Sequence, residues 1–244
     1  MRCGSLSRNA TMRRSVMDDE ATALRRDLLT GCRILASEGL VEAFGHLSAR
    51  LPDRGGFVIS ARKSLSLVDE IDLVTVDLDG RVLAGTAMPP LETPLHAAIY
   101  RRRSDVGAIA RTHSETTSVF SILGRPVRPV HDLGAILLGP TAIFSRSDLI
   151  SSAALGTAAA EALGAATAIL LRGNGTAVVG RDVAEACIRA IYLEESARLS
   201  WKAMQAGSPT HFDEGEVLAR GTELLEDQHV RRAWEHYRRK AGIS

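Results

Sequence analysis

The chain has 244 residues, 45% of them hydrophobic, which is enough for one sizeable core. With 30 Lys plus Arg against 29 Asp plus Glu, there is no global field to favour nucleic acid or an anionic membrane surface. Three cysteines far apart (Cys3, Cys32, Cys187) exclude a disulfide framework and a Cys-rich zinc module, and they suit a reducing, cytoplasmic setting.

Residues 1–17 are basic and lack the apolar centre of a secretory signal. This stretch is expected to be flexible, with Met12 and Met17 as further start sites and a transit-peptide reading left open. No apolar run reaches the ~20 residues that span a bilayer. From residue 18 to about 40, Leu24, Leu28, Leu29, Ile34 and Leu35 recur at helical spacing, with acids first and Gly39 near the stop. From Gly45 to Gly85 the texture changes to short β-prone runs (HLSAR, GFVIS, DLVTVDL, RVLAG) separated by Gly and Asp turns. After Pro89 and Pro90, ETPLHAAIYRRR reads as a helix with acid at its start and base at its end.

DVGAIARTH (105–113) reads as a buried strand, followed by a helix capped by Ser114. An Ala-rich helix is expected over 147–163, then strand, tight turn and strand over 166–180. The longest helix is expected over 182–204. The predicted architecture is α/β: one domain over residues 18–210, a central, mostly antiparallel sheet with helices on its faces. Residues 211–244 are expected to form a charged helical tail packed on the domain or between subunits.

Three clusters carry candidate chemistry. Glu92 stands at a helix start, where a carboxylate can simply be a favourable helix-end charge. Arg111 and His113 lie two apart at a strand end and so face one side; a lone strand-end histidine would more often be structural. Arg172-Gly173-Asn174-Gly175 sits between two apolar strands, where Asn-Gly signals a type I′ hairpin. It is not a dinucleotide fingerprint, because a strand and not a helix follows, and no nucleotide cofactor is expected. His96, four residues after Glu92, falls on the same helix face, either to orient it or to pack in the core. Ser114, His131 and Asp132 are too scattered for a hydrolase triad, and His211, His229 and His236 are expected to be solvated.

The order Gly45-His-Leu-Ser-Ala-Arg50, VTVDLDGRVLAG, PPLETPLHAAIYRRRSDVGAIARTHS and LLRGNGTAVVG resembles the class II aldolase/adducin family from about residue 20 to about 205. In aldolases of that family three histidines hold a divalent metal and a glutamate acts as acid/base. The resemblance therefore implies a metal acting as Lewis acid, a homotetramer with active sites at subunit borders, and Glu92 and His113 as catalytic groups. Two of the three ligand positions are changed here, to Arg111 and Asn174. Arg cannot coordinate. The remaining set of His113, Asn174 and Glu92 would suit Mn or Mg better than Zn.

Phosphate-binding positions are also changed. His46 replaces an Asn, the loop reads Ser60-Ala-Arg62-Lys63-Ser64, and Pro90-Leu91 replaces two serines. Arg62, Lys63, Arg111 and His46 would instead surround a small anionic, carboxylate-bearing substrate, with Asn174 as a further contact. His131 sits where the resemblance implies a group brought to the substrate from a neighbouring subunit, though Asp132 replaces the family's aromatic acid/base. These changes resemble the family branch that decarboxylates hydroxylated aromatic acids, such as dihydroxyphthalate and hydroxymethylpyridine dicarboxylate. Decarboxylation of an ortho-hydroxy carboxylate is the favoured expectation, with Glu92, His113 and Arg111 as the catalytic residues and the proton delivered by Glu92 or His113. Aldol cleavage or epimerisation of a hydroxy-keto compound is the enzyme alternative, and a non-catalytic adducin-like interaction module the other.

Overall fold

The computed structural model describes the backbone of residues 4–243 and the side chains of residues 19–243. Cys3 lies outside the described residues. Eight strands form one sheet: β1 (His46–Arg50), β2 (Gly56–Ser60), β3 (Leu73–Asp77), β4 (Val82–Ala84), β5 (Ala108–Thr112), β6 (Ala142–Phe144), β7 (Ala168–Leu171) and β8 (Thr176–Gly180). Their order is β4-β3-β2-β1-β5-β8-β7-β6, and every pairing is antiparallel except β6 with β7. The mostly antiparallel α/β architecture expected from the sequence is the one observed.

Strand alternation divides the core in two. Leu47, Val58, Ala110, Leu170 and Val178 face one side, against α1 (Gly4–Ser37) and α5 (Val183–Ala206). Phe57, Ile59, Ile109, Ile169 and Val179 face the other, against α2 (Thr93–Arg102) and α4 (Ala153–Leu163). Helix α3 (Glu115–Leu123) follows β5, and Glu194 of α5 accepts the backbone N–H groups of Thr116 and Thr117 in its first turn at 2.8 and 2.9 Å. The tail forms α6 (Glu214–Leu224) and α7 (Asp227–Lys240), which pack on this same chain, α7 through Ala233, Trp234 and Tyr237.

Three local expectations need correction. The helix expected from residue 18 is the later part of α1, whose backbone is already helical from Gly4, within the stretch expected to be flexible. The helix expected from residue 147 starts at Ala153, where the Ser152 hydroxyl accepts from the Leu155 N–H at 3.3 Å. The turn between β7 and β8 closes two residues earlier than an Asn-Gly type I′ turn over Asn174-Gly175 would. Leu171 O accepts from Asn174 N at 2.8 Å, and Gly173 takes the left-handed position at φ 69°. Gly175 is left-handed as well (φ 74°), and a Cβ there would stand 2.1 Å from Thr112 O, so only glycine lets the turn pass the end of β5.

Candidate active site

The register of β1 on β5 sets His46 opposite Arg111. Both side chains, with Ser48, therefore face α2. His113 continues the same row beyond the strand end, its N–H donating to Leu40 O at 2.9 Å. Glu92 is the residue just before α2, and its carboxylate makes no capping bond to the helix, which leaves it free to reach the sheet.

That carboxylate is 5% exposed and contacted from three sides. Arg111 Nη2 lies 3.1 Å from Oε2, Asn174 Nδ2 donates to Oε1 at 3.3 Å, and His46 Nε2 lies 3.5 Å from Oε2. Burial pushes the Glu92 carboxyl up. The His46 contact and the Arg111 charge together outweigh it and leave the pKa lowered to about 2. Arg111 is fully buried, with Nη1 donating to Thr112 O at 2.8 Å and Thr176 O at 3.3 Å, while its Nε has no partner.

In front of Glu92 opens a cavity of about 580 Å³. Its polar lining includes His46, Arg62, Lys63, Glu92, His113 and Asn174, and its apolar lining includes Phe44, Pro90, Leu91 and Leu149. Six of the eight residues expected at the site thus share one cleft. Arg111 does not line it: the guanidinium is sealed behind Glu92 and acts on the carboxylate, not on a substrate. His131 does not line this chain's cleft either. It is placed beside α5, with Nε2 3.1 Å from Ser196 Oγ, and the chain that follows it is tied by Asp132 to Arg220.

The two loop cations differ. Lys63 Nζ is 2.6 Å from Asp72 Oδ2, whereas the exposed Arg62 side chain has no ion-pair or hydrogen-bond partner among the described residues. His113 is half-buried; burial first and the Arg111 charge second lower its pKa to about 4, so it is neutral at pH 7. His211 and His229 are half-buried and not fully solvated, and His229 Nδ1 lies 2.8 Å from Glu223 O. Leu91 was singled out in the sequence only as a replaced serine, and Phe44 and Leu149 were not singled out. Apolar side chains this exposed (Phe44 is 77% exposed) were the available signal.

The donor set does not fit the tightly held dication implied by the resemblance. Its one carboxylate is already engaged by a buried guanidinium that stays protonated, and a metal ion beside Glu92 would stand against that charge. Asn174 presents its amide N–H₂ to the same carboxylate. Among the described residues no group of three His, Cys, Asp or Glu side chains is placed to hold a metal.

Residues 26–201 match the family model for the class II aldolase and adducin N-terminal domain. The chain belongs to this family. It is 27% identical over 229 residues to the 3,4-dihydroxyphthalate decarboxylase of Arthrobacter keyseri, covering 87% of this chain and 91% of that protein. It is 29% identical over 243 residues to the decarboxylase tropJ of Talaromyces stipitatus, covering 86% and 91%. Among solved structures, the L-fuculose 1-phosphate aldolase of Glaciozyma antarctica superposes with a TM-score of 0.80 at 26% identity, covering 92% of this chain and 90% of that one.

Proposed function

We propose that this family member is a carbon–carbon lyase that decarboxylates, without oxidation, an ortho-hydroxy aromatic or pyridine mono- or dicarboxylate. The observation that carries the reading is the state of Glu92. It is a carboxylate held ionised by Arg111 on the floor of a cavity with apolar walls. A group in that state takes a proton before it gives one, so Glu92 delivers the ring proton only after it has accepted one.

The ring lies against Phe44, Leu91 and Leu149, and Glu92 accepts the phenolic proton as His113 and Asn174 donate to the oxygen it leaves, which offsets the weak basicity of a carboxylate held at about 2. Glu92 then returns that proton to the ring carbon bearing the carboxylate, giving a dienone-like intermediate. The electron pair of the C–C bond flows back into the ring as CO₂ leaves. The balance is HO–Ar–CO₂⁻ giving ⁻O–Ar–H plus CO₂, with no oxidant or nucleotide cofactor, and the phenolate is protonated by water on release. Neutral His113 and Asn174 offer N–H groups to the oxygen on which charge develops. Arg62, the cation without a partner at the cavity, takes a second carboxylate.

The two decarboxylases similar along most of the chain support this reading. The replacement of the phosphate-binding positions by Ala61-Arg62 and Pro90-Leu91 does so as well. A cytoplasmic homotetramer acting on a small anionic substrate, with no nucleic-acid or membrane partner, completes the proposal. No helix of the described residues is long and apolar enough to cross a membrane. A CO₂-release screen over hydroxylated aromatic and pyridine carboxylates tests it. Release from an ortho-hydroxy acid is expected. Aldehyde formation from a ketose phosphate, or epimerisation of one, with no CO₂ from any aromatic acid, would overturn it.

A further inference from the structure

Behind Glu92, on the side away from the cavity, runs a line of buried polar groups that the chemistry above does not use. We infer that Tyr100, Ser48 and His96 are positioning residues whose hydrogen-bond chain fixes the tautomer of His46, so that His46 presents Nε2–H to Glu92. The inference deepens the proposed reaction and takes from it the role of Glu92.

The chain is built by two elements that face each other. His46 and Ser48 are two apart on β1, and His96 and Tyr100 are four apart on α2, so each pair shares a face. His46 Nδ1 lies 2.7 Å from His96 Nε2, His96 Nδ1 lies 2.7 Å from Ser48 Oγ, and Ser48 Oγ lies 2.8 Å from the Tyr100 hydroxyl. Ser48 and His96 are fully buried, Tyr100 is 1% and His46 6% exposed, so solvent does not replace any of these partners.

Every ring nitrogen in the chain faces another protein group, which makes the proton positions an accounting problem. With Glu92 ionised, one polarity satisfies all of them. The Tyr100 O–H donates to Ser48 Oγ, the Ser48 O–H to His96 Nδ1, His96 Nε2–H to His46 Nδ1, and His46 Nε2–H points at Glu92 Oε2, 3.5 Å away. The opposite polarity aims the His46 Nε2 lone pair at a carboxylate and leaves the buried Tyr100 hydroxyl proton with no acceptor. An unpartnered donor in such a place costs about 1–3 kcal/mol in general. Burial also lowers the proton affinity of both imidazoles and raises the Tyr100 phenol, so the chain is uncharged and keeps its terminal proton. Its consequence for the reaction is orientation: Arg111 reaches both Glu92 oxygens, His46 faces Oε2 alone, and Oε1 is turned to Asn174 and the substrate.

The test is ¹⁵N NMR of histidine-labelled protein near pH ~7, which distinguishes the two neutral tautomers from each other and from imidazolium. His46 and His96 are both expected as neutral Nε2–H tautomers. Ser48→Ala removes the donor to His96 Nδ1, and a mixture of tautomers is expected at both rings; Ser48→Thr, which keeps a hydroxyl, is expected to restore the single form. On a turned-over substrate, Ser48→Ala is expected to lower kcat about tenfold with KM nearly unchanged, the size of one hydrogen bond to a charged group. Finding His46 as the Nδ1–H tautomer or as imidazolium in the unmodified protein overturns the inference, and so does a Ser48→Ala protein with unaltered tautomers. The NMR readout needs no substrate. If the tautomers are as expected and no aromatic acid is decarboxylated, the relay stands and the reaction assigned to the site falls.

Discussion

Replacing Arg111 with Met separates a structural guanidinium from a substrate-binding one. The guanidinium makes two contacts to Glu92, at 3.1 and 3.4 Å, and donates to the carbonyls of Thr112 and Thr176, all out of solvent. Removing one partner of a buried ion pair costs about 3–5 kcal/mol, because the remaining charge is left without compensation. Asn174 and His46 still touch the carboxylate, so the low end, about 3 kcal/mol, is expected. Adding Glu92→Gln to Arg111→Met takes away the stranded charge. The double variant is therefore expected to recover about 1–2 kcal/mol of stability, the rest staying lost with the two unsatisfied carbonyls. Urea unfolding of the wild type, both single variants and the double variant gives the coupling. If Arg111→Met loses less than about 1 kcal/mol, or the double variant is no more stable than Arg111→Met alone, the guanidinium does not hold the carboxylate as described.

Other expectations follow from the same geometry. Arg62→Met is expected to raise KM for a dicarboxylate about tenfold or more with little change in kcat, because a second carboxylate is bound alike in ground and transition states; a fall in kcat at constant KM would contradict that role. His113 is lowered to about 4 from the ordinary 6.5, and His46 and His96 are lowered as well. The unfolded chain therefore takes up protons that the folded one refuses, and stability is expected to decline as pH falls from about 6.5 to about 4. The slope should be shallower in His113→Asn, and a flat urea midpoint across that window would count against neutral buried histidines. Gly175→Ala is expected to destabilise by about 2 kcal/mol or more and to lower kcat, since the turn that aims Asn174 must move off Thr112 O; thermal melts and kinetics check both.

Much of this was legible in the sequence, for physical reasons that differ by element. The strands could be read because GFVIS and AIART carry consecutive apolar residues, as a sheet covered by helices on both faces requires, and Gly and Asp turns bound the short β-prone runs. Strand β6 was missed because Ala-Ile-Phe is three residues long and follows Gly139-Pro140, which reads as loop. Glu92, His113, Asn174 and His46 were found by their order along the chain. The role of Arg111 was not, because a strand-end arginine has the same sequence pattern whether its guanidinium meets a ligand or is closed in behind an acid. The spacing of His46 with Ser48, and of His96 with Tyr100, was visible, but the meeting of those two faces is a tertiary fact. Local pattern also does not reveal that His131 is held beside α5, and the segment after it on α6, away from its own chain's cleft.

The most direct measurement is CO₂ yield per molecule of ortho-hydroxy aromatic acid consumed, taken on chelator-treated wild-type enzyme beside Glu92→Gln. One CO₂ per substrate is expected from the treated wild type, with turnover in Glu92→Gln reduced by at least about a hundredfold as the proton carrier is lost. Turnover that survives in Glu92→Gln, or that vanishes with the chelator and returns only with a divalent metal, would contradict a reaction run by a guanidinium-held carboxylate.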